Sequence, residues 1–428
     1  MYKNVIEIKR LKENIMVLKN KSGLTIYLKP METFSKSVAV YCTRFGSVDR
    51  KFKKENEEEF LTVPDGVAHY LEHKLFENED GSITFELYAK EKARANAGTS
   101  FNSTAYYFYS PPETFINALK ILLDLVQKPY FTDENVEKER GIIGQEINMG
   151  EDDPFWKTFF GCLKGLYHNS SIKLRIDGSV DSIAKIDKKV LYDCYESFYN
   201  PNNMALILTG NFKEEEVLNL LKNELKEKDP IFVDRFVESE PEDIVEKYSI
   251  INMSVKTPIF AIGIKIPPKR GEEILKFKIG FKILHEILFG EGSFLYDLFY
   301  RKGLVLGAEL DWELLAGENY FAIILTGESE NPREVLYEIS KEIENKKVQG
   351  LDKNQFDLVK KMVYKDLVEQ FSEPEKLADF IAGCFIENVE IANKVELIAN
   401  IKLENVLDCL REINLNKINL TITKSSKS

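Results

Sequence analysis

The sequence predicts a protein of two similar halves, each mixing antiparallel strands with long helices. Three observations carry this. At 428 residues the chain is too long for one ordinary core, at roughly 100–200 residues per domain. Stretches of alternating apolar and polar residues open each half, and longer helical patterns follow them. Residues 131–146, FTDENVEKERGIIGQE, are echoed by residues 350–365, GLDKNQFDLVKKMVYK, which sets Glu139 on Leu358 and Glu146 on Lys365. Only the first copy keeps these acidic groups, as a duplication with function in one half would. Apolar content falls at 227–231 and again at the acidic 238–243, making this the linker and dividing the chain into domains 1–235 and 236–428.

Taken in order, strands are expected at 15–18, 24–28 and 38–41, with a turn at 20–23. The mixed charge run 51–59 reads as a solvated loop. Pro64-Asp65-Gly66 opens a helix, since proline is tolerated in a first turn and Asp65 would complement the exposed amides; residues 78–81 close it. A helix at 82–92, a strand pair containing 96–100 and 104–109, and helices at 112–127 and 132–149 follow. Next come a helix at 181–198, a turn at Pro201-Asn202-Asn203, a strand at 204–209 and a helix at 214–226. The second half repeats the scheme with strands at 248–255 and 259–266, a helix at 274–288, strands through 305–310 and 320–326, and two helices.

Hydrophobic residues make up 44% and charged residues 30% of the chain, a globular composition. The net charge of −12 is distributed rather than basic and striped, which argues against nucleic acid as a partner. The first residues lack an apolar signal core, and no run approaches membrane-spanning length; a cytoplasmic protein without a membrane partner is expected. Cys42, Cys162, Cys194, Cys384 and Cys409 are odd in number and widely spaced. They suggest neither a disulfide framework nor a thiolate zinc site, but small core residues.

The histidines are four: His69, His73, His168 and His285. On a helix His69 and His73 project from one face, and Glu72 leans to the same side. A catalytic zinc takes three protein ligands and leaves a position for water, so a third ligand must come from elsewhere. Glu146 is the leading candidate, and Glu139, seven residues earlier, shares its helical face and is assigned a supporting hydrogen bond. Glu72 is the expected base, taking a proton from water as it attacks a carbonyl and passing it to the departing amine. A single histidine on an apolar helix is usually a packed core residue, and isolated helix glutamates are usually solvated. The combination favours the metal. His168 and His285 lack such companions and read as structural or surface residues.

These residues resemble the pitrilysin/insulinase family of zinc metallopeptidases with the inverted motif, in its bacterial processing-peptidase-like branch. The segment 66–76, GVAHYLEHKLF, is similar to the family's zinc helix, and 139–146, ERGIIGQE, to its distal Glu-x6-Glu element. The likeness continues through Asn96-Ala97, 177–183, 198–204 and Gly210. The resemblance implies an α+β fold of two homologous domains, each a mostly antiparallel sheet with helices packed on one face, arranged as half of a clam shell. It implies Zn2+ held by His69, His73 and Glu146, peptides or unfolded segments as substrate, and Asn96 and Ala97 on an edge strand that receives the substrate backbone.

Active members of the family carry an Arg and a Tyr seven apart that grip the substrate. Here Phe299 and Leu306 stand at those positions, with Tyr300 and Arg301 nearby but out of step. A zinc endopeptidase that relies on a related subunit for the missing groups is therefore expected, or a homodimer supplying them from a second copy. The competing readings are a non-catalytic peptide-binding or assembly subunit and a zinc hydrolase of another class, such as an amidase.

Overall fold

The computed structural model describes residues 2–426. The chain runs through strands β1 (Tyr2–Ile8), β2 (Glu13–Lys19), β3 (Thr25–Pro30), β4 (Ser37–Thr43), β5 (Lys51–Lys54) and β6 (Leu61–Thr62) to helices α1 (Val67–Lys74) and α2 (Thr84–Lys90). Strands β7 (Arg94–Thr99) and β8 (Thr104–Ser110) precede α3 (Phe115–Gln127), α4 (Asp133–Glu151), α5 (Pro154–Leu166), α6 (Val180–Ile183) and α7 (Lys188–Phe198). Then come β9 (Met204–Gly210), α8 (Glu214–Glu224), β10 (Val233–Arg235), β11 (Tyr248–Asn252) and β12 (Ile259–Lys265). The remainder comprises α9 (Glu272–Phe289), α10 (Phe294–Lys302), β13 (Asp311–Ala316), β14 (Phe321–Glu328), α11 (Pro332–Gln349), α12 (Lys353–Gln370), α13 (Pro374–Ile386), α14 (Ile391–Asn400), α15 (Leu403–Glu412) and β15 (Ile418–Lys424). This is the α+β architecture that the sequence predicts.

Two compact units result. The first takes the chain up to Ile147, Arg175–Phe236 and Leu367–Glu396; the second takes Asn148–Leu174, Val237–Asp366 and the chain from Leu397. The first is built on a seven-stranded sheet in the order β1-β2-β3-β9-β4-β8-β7, antiparallel except where β3 meets β9. Its main core sets Ala39, Tyr41, Leu206 and Leu208 of the sheet against Leu71, Leu119 and Phe198 of the helices. Strands β4 and β9 are buried along their whole length, so the opposite face is covered too. Helix α13 covers it: Thr209 Oγ1 donates to the Pro374 carbonyl at 2.7 Å, and the Arg44 guanidinium lies 4.0 Å over the Phe385 ring.

The second unit holds the five-stranded sheet β11-β15-β12-β14-β13, parallel only at β11–β15. Helix α5 lies on β15 and β12, and glycines set the approach. Gly161 and Gly165, one turn apart, meet Ile251, Thr421 and Asn419, while a Cβ on Gly263 of β12 would stand 2.5 Å from Cys162 Sγ. Each half of the sequence thus lends one helix to the sheet of the other half. A contiguous division at 235 would part α5 and α13 from the sheets they cover.

Several segments differ from the sequence reading for local reasons. Residues 305–310 form turns rather than a strand, because Gly307 and Ala308 take positive φ of 77° and 63°; the strand is β13. The helix expected over 181–198 breaks before α7, where Asp187 caps by accepting the Val190 amide at 2.8 Å. The charge run at 51–59 begins as β5, paired with β6 and β10. Within the acidic 238–243 stretch Glu240 is buried against Lys265 at 2.7 Å and accepts the amides of His168, Asn169 and Ser170. Such partners offset the cost of burying a carboxylate. Helix α5, absent from the sequence reading, is amphipathic and starts at Pro154 with Asp153 as its cap. All five cysteines are free and buried, and among the described residues no helix is long and apolar enough to cross a membrane.

Because Gly263 leaves no room for a side chain, Gly263→Val should overpack the α5 contact and lower stability by about 1–3 kcal/mol. A melting temperature equal to the parent's in thermal unfolding would show that the contact is not close-packed.

Candidate metal centre

Helix α1 is placed by two glycines that face each other across chain segments. Gly66 has φ 89°, and a Cβ there would lie 2.5 Å from the Asp177 carbonyl oxygen; one on Gly178, with φ 78°, would lie 2.5 Å from that of Asp65. Ser182 Oγ donates to the Asp65 carbonyl at 2.8 Å and closes the junction. Asp65 does not cap the helix as expected; its side chain is ion-paired with Arg50. On the flank of α1, Tyr70 donates its hydroxyl to the Val136 carbonyl, and the fully buried Lys74 ammonium reaches the Asn135 carbonyl at 3.2 Å and Glu77 at 2.8 Å. Helix α1 is thereby fixed on the first turn of α4.

With the helices so fixed, His69 and His73 on α1 face Glu146 on α4. Their ring centroids are 4.5 Å apart. His69 Nε2 stands 3.7 Å from Glu146 Oε1 and His73 Nε2 3.7 Å from Glu146 Oε2, and one donor atom from each of the three residues lies within 4.8 Å of the others. These separations are too long for hydrogen bonds. They suit donors around a cation with bonds of about 2.0–2.2 Å, whose tetrahedral edge is about 3.4 Å.

The donor chemistry fits zinc as well. His69 Nδ1 is buried with no hydrogen-bond partner, and burial, reinforced by the neighbouring His73, holds the proton affinity of His69 down to about 4. It is the neutral, metal-binding form at ordinary pH. His73 Nδ1 donates to Glu139 Oε1 at 2.9 Å, which fixes the tautomer and leaves the Nε2 lone pair toward Glu146. Burial opposes a second proton on His73, yet the Glu139 hydrogen bond and the charges of Glu72, Glu139 and Glu146 outweigh it and raise its pKa. Burial likewise acts against the charge on Glu139, and the bond to His73 more than compensates and lowers its pKa. Three carboxylates around two imidazoles form a site with surplus negative charge, which a divalent cation would neutralise.

Glu72 is buried on α1, and burial raises its pKa despite a hydrogen bond from Thr99 Oγ1 to Oε2 at 2.8 Å. Thr99 ends β7, one of the two edge strands of the seven-stranded sheet. Asn96 and Ala97 lie on the same strand, paired with Tyr107 and Tyr106 of β8; the Asn96 side chain is exposed and Ala97 packs partly into the core. Sequence reading missed Thr99. The available signal was a hydroxyl three residues beyond Asn96 on an alternating strand. In the second unit Phe299 is buried in α10, Leu306 is exposed, and Arg301 is ion-paired with Asp297 at 2.7 Å.

The fold and this donor set define a protein of the zinc-protease type. Comparison with known proteins agrees. The family model described as "Insulinase (Peptidase family M16)" matches residues 62–160, and one described as "Peptidase M16 inactive domain" matches residues 185–363. A Bacillus subtilis (strain 168) protein named as an uncharacterized zinc protease, YmfH, is 34% identical over 412 residues, 95% of each chain. The human mitochondrial-processing peptidase subunit beta is 28% identical over 184 residues, 42% of this chain and 37% of that one. A crystal structure described as that of an M16-like peptidase from Alicyclobacillus acidocaldarius superposes with a TM-score of 0.91 at 26% identity, covering 100% of this chain and 99% of that one. The chain belongs to peptidase family M16.

Since Glu139 orients His73 without being one of the three facing donors, Glu139→Gln should weaken zinc binding roughly 10- to 100-fold while the protein stays folded. Competition with a chromogenic chelator measures this, and an unchanged affinity would remove Glu139 from the account.

Proposed function

We propose that the chain is a zinc-dependent endopeptidase acting on peptides or unfolded protein segments, with a substrate site completed by a related subunit. The observation that carries this reading is the convergence of His69, His73 and Glu146 beside the buried carboxylate of Glu72. Zinc held by those three residues would supply Lewis acidity toward a carbonyl oxygen and lower the pKa of water to about 7. Glu139 keeps the His73 ring in the ligating tautomer. Glu72 receives the proton of the attacking water, and burial, by favouring its neutral form, suits it to hold that proton until the amine departs. The outer edge of β7 would receive an extended peptide at Ala97, as in β-augmentation, with the Ala97 amide, which donates to Asn96 Oδ1 at 2.9 Å, passing to the peptide.

The proposed partner rests on the side chains of α10 and of the turn after it. A buried Phe299, an exposed Leu306 and an Arg301 engaged by Asp297 leave no Arg–Tyr pair at the family's spacing. A related subunit carrying that pair supports activity best, and a second copy of this chain is the lesser possibility. The name of the human relative, a peptidase subunit, supports a heterodimer. A cytoplasmic location belongs to the same proposal, in keeping with five unpaired cysteines. The same substituted positions favour one further reading, a non-catalytic peptide-binding subunit.

Quenched-peptide assays on the zinc-loaded chain, alone and mixed with a related subunit, separate these readings. Cleavage should be weak alone and strong in the mixture, and Glu72→Gln should reduce kcat by about 10²–10⁴-fold with zinc content unchanged. A zinc-loaded Glu72→Gln protein that cleaves at the parent rate would sink the base assignment. Binding of peptide without cleavage under every pairing would establish the non-catalytic role.

A further inference from the structure

The ligand helix alone does not account for how Glu72 is aimed. A glutamate carries three rotatable bonds, and its carboxylate accepts a hydrogen bond from Thr99, with Oγ1 donating to Oε2 at 2.8 Å. Thr99 is itself held on several sides. It is the last residue of β7 and pairs with Thr104 of β8, whose hydroxyl donates to the Phe45 carbonyl at 2.9 Å. The turn that follows is closed by the Ser100 amide on the Ser103 carbonyl at 2.7 Å and by their two hydroxyls at 2.8 Å. Behind it the amides of Ser47 and Val48 donate to the carbonyls of Ser100 and Phe101 at 3.1 and 2.9 Å. Gly46 lets this turn come close, because a Cβ there would collide with the backbone of Phe101 and Asn102.

We propose that Thr99 is a positioning residue that ties the Glu72 carboxylate to the edge strand β7. Its hydroxyl occupies Oε2 and leaves Oε1 for the proton transferred in the reaction. A charge-assisted hydrogen bond of this kind is stronger than a neutral one, and a misplacement near 1 Å at a reacting group can cost roughly 10²-fold in rate. Strand β7 then has two tasks: its free edge would seat the substrate backbone, and its last side chain sets the base. The inference rests on the assignment of Glu72 as the base.

Thr99→Val keeps the shape of the side chain and removes the donor, while Thr99→Ser keeps the donor. In the peptide assay Thr99→Val should lower kcat about 10- to 100-fold with KM within about twofold of the parent and zinc content equal, and Thr99→Ser should recover most of that loss. Crystal structures of the parent and Thr99→Val proteins give a readout that needs no turnover, with Glu72 leaving its single position only in the valine variant. A parent-like kcat in Thr99→Val, an equal loss in both variants, or an unmoved Glu72 overturns the proposal. If the parent cleaves nothing under any pairing with a related subunit, the peptidase reading fails, and the position of Glu72 in the two crystal structures alone decides whether Thr99 aims it.

Discussion

The hydrogen bond from His73 Nδ1 to Glu139 is the interaction on which the site turns. It joins the helix that carries both imidazoles to the helix that carries Glu146, and it selects the tautomer that leaves Nε2 as a lone-pair donor. Glu139 can serve because seven residues place it on the face of α4 that also presents Glu146. One carboxylate is buried and commits to His73; the other is half exposed and faces both Nε2 atoms. The proposed zinc site therefore divides the two glutamates of α4 between orientation and ligation.

The fold makes that bond possible by close backbone approach. Gly66 and Gly178 admit each other's neighbouring carbonyls, and the Tyr70 and Lys74 side chains reach main-chain oxygens of α4, so α1 has little freedom to slide. Around it the sheet is closed on both faces where it matters. The core helices cover one side of β4 and β9 and α13 covers the other, leaving β7 as an open edge next to the site.

Much of this was legible in the sequence, for stated physical reasons. The His69, Glu72 and His73 spacing and the seven-residue step from Glu139 to Glu146 are helical arithmetic, and the structure brings all three facing donors together. The α+β character followed from alternating strands and long helical patterns. The exchange of α5 and α13 was not legible, because no local pattern says which sheet a helix will cover; for α5 the clue lay in Gly161 and Gly165, which face β11 and β15, and in Gly263 of β12, which faces Cys162. Glu240 read as part of an acidic linker because its partner Lys265 lies well away in sequence, at the end of β12. Thr99 was hidden for the same reason: its role exists only across the gap between β7 and α1.

Crystals grown with zinc, with diffraction measured on both sides of the zinc absorption edge, test the central claim most directly. The account predicts one strong anomalous peak at about 2.0–2.2 Å from Nε2 of His69, Nε2 of His73 and a carboxylate oxygen of Glu146. A peak elsewhere, or none among these residues at saturating zinc, would contradict it.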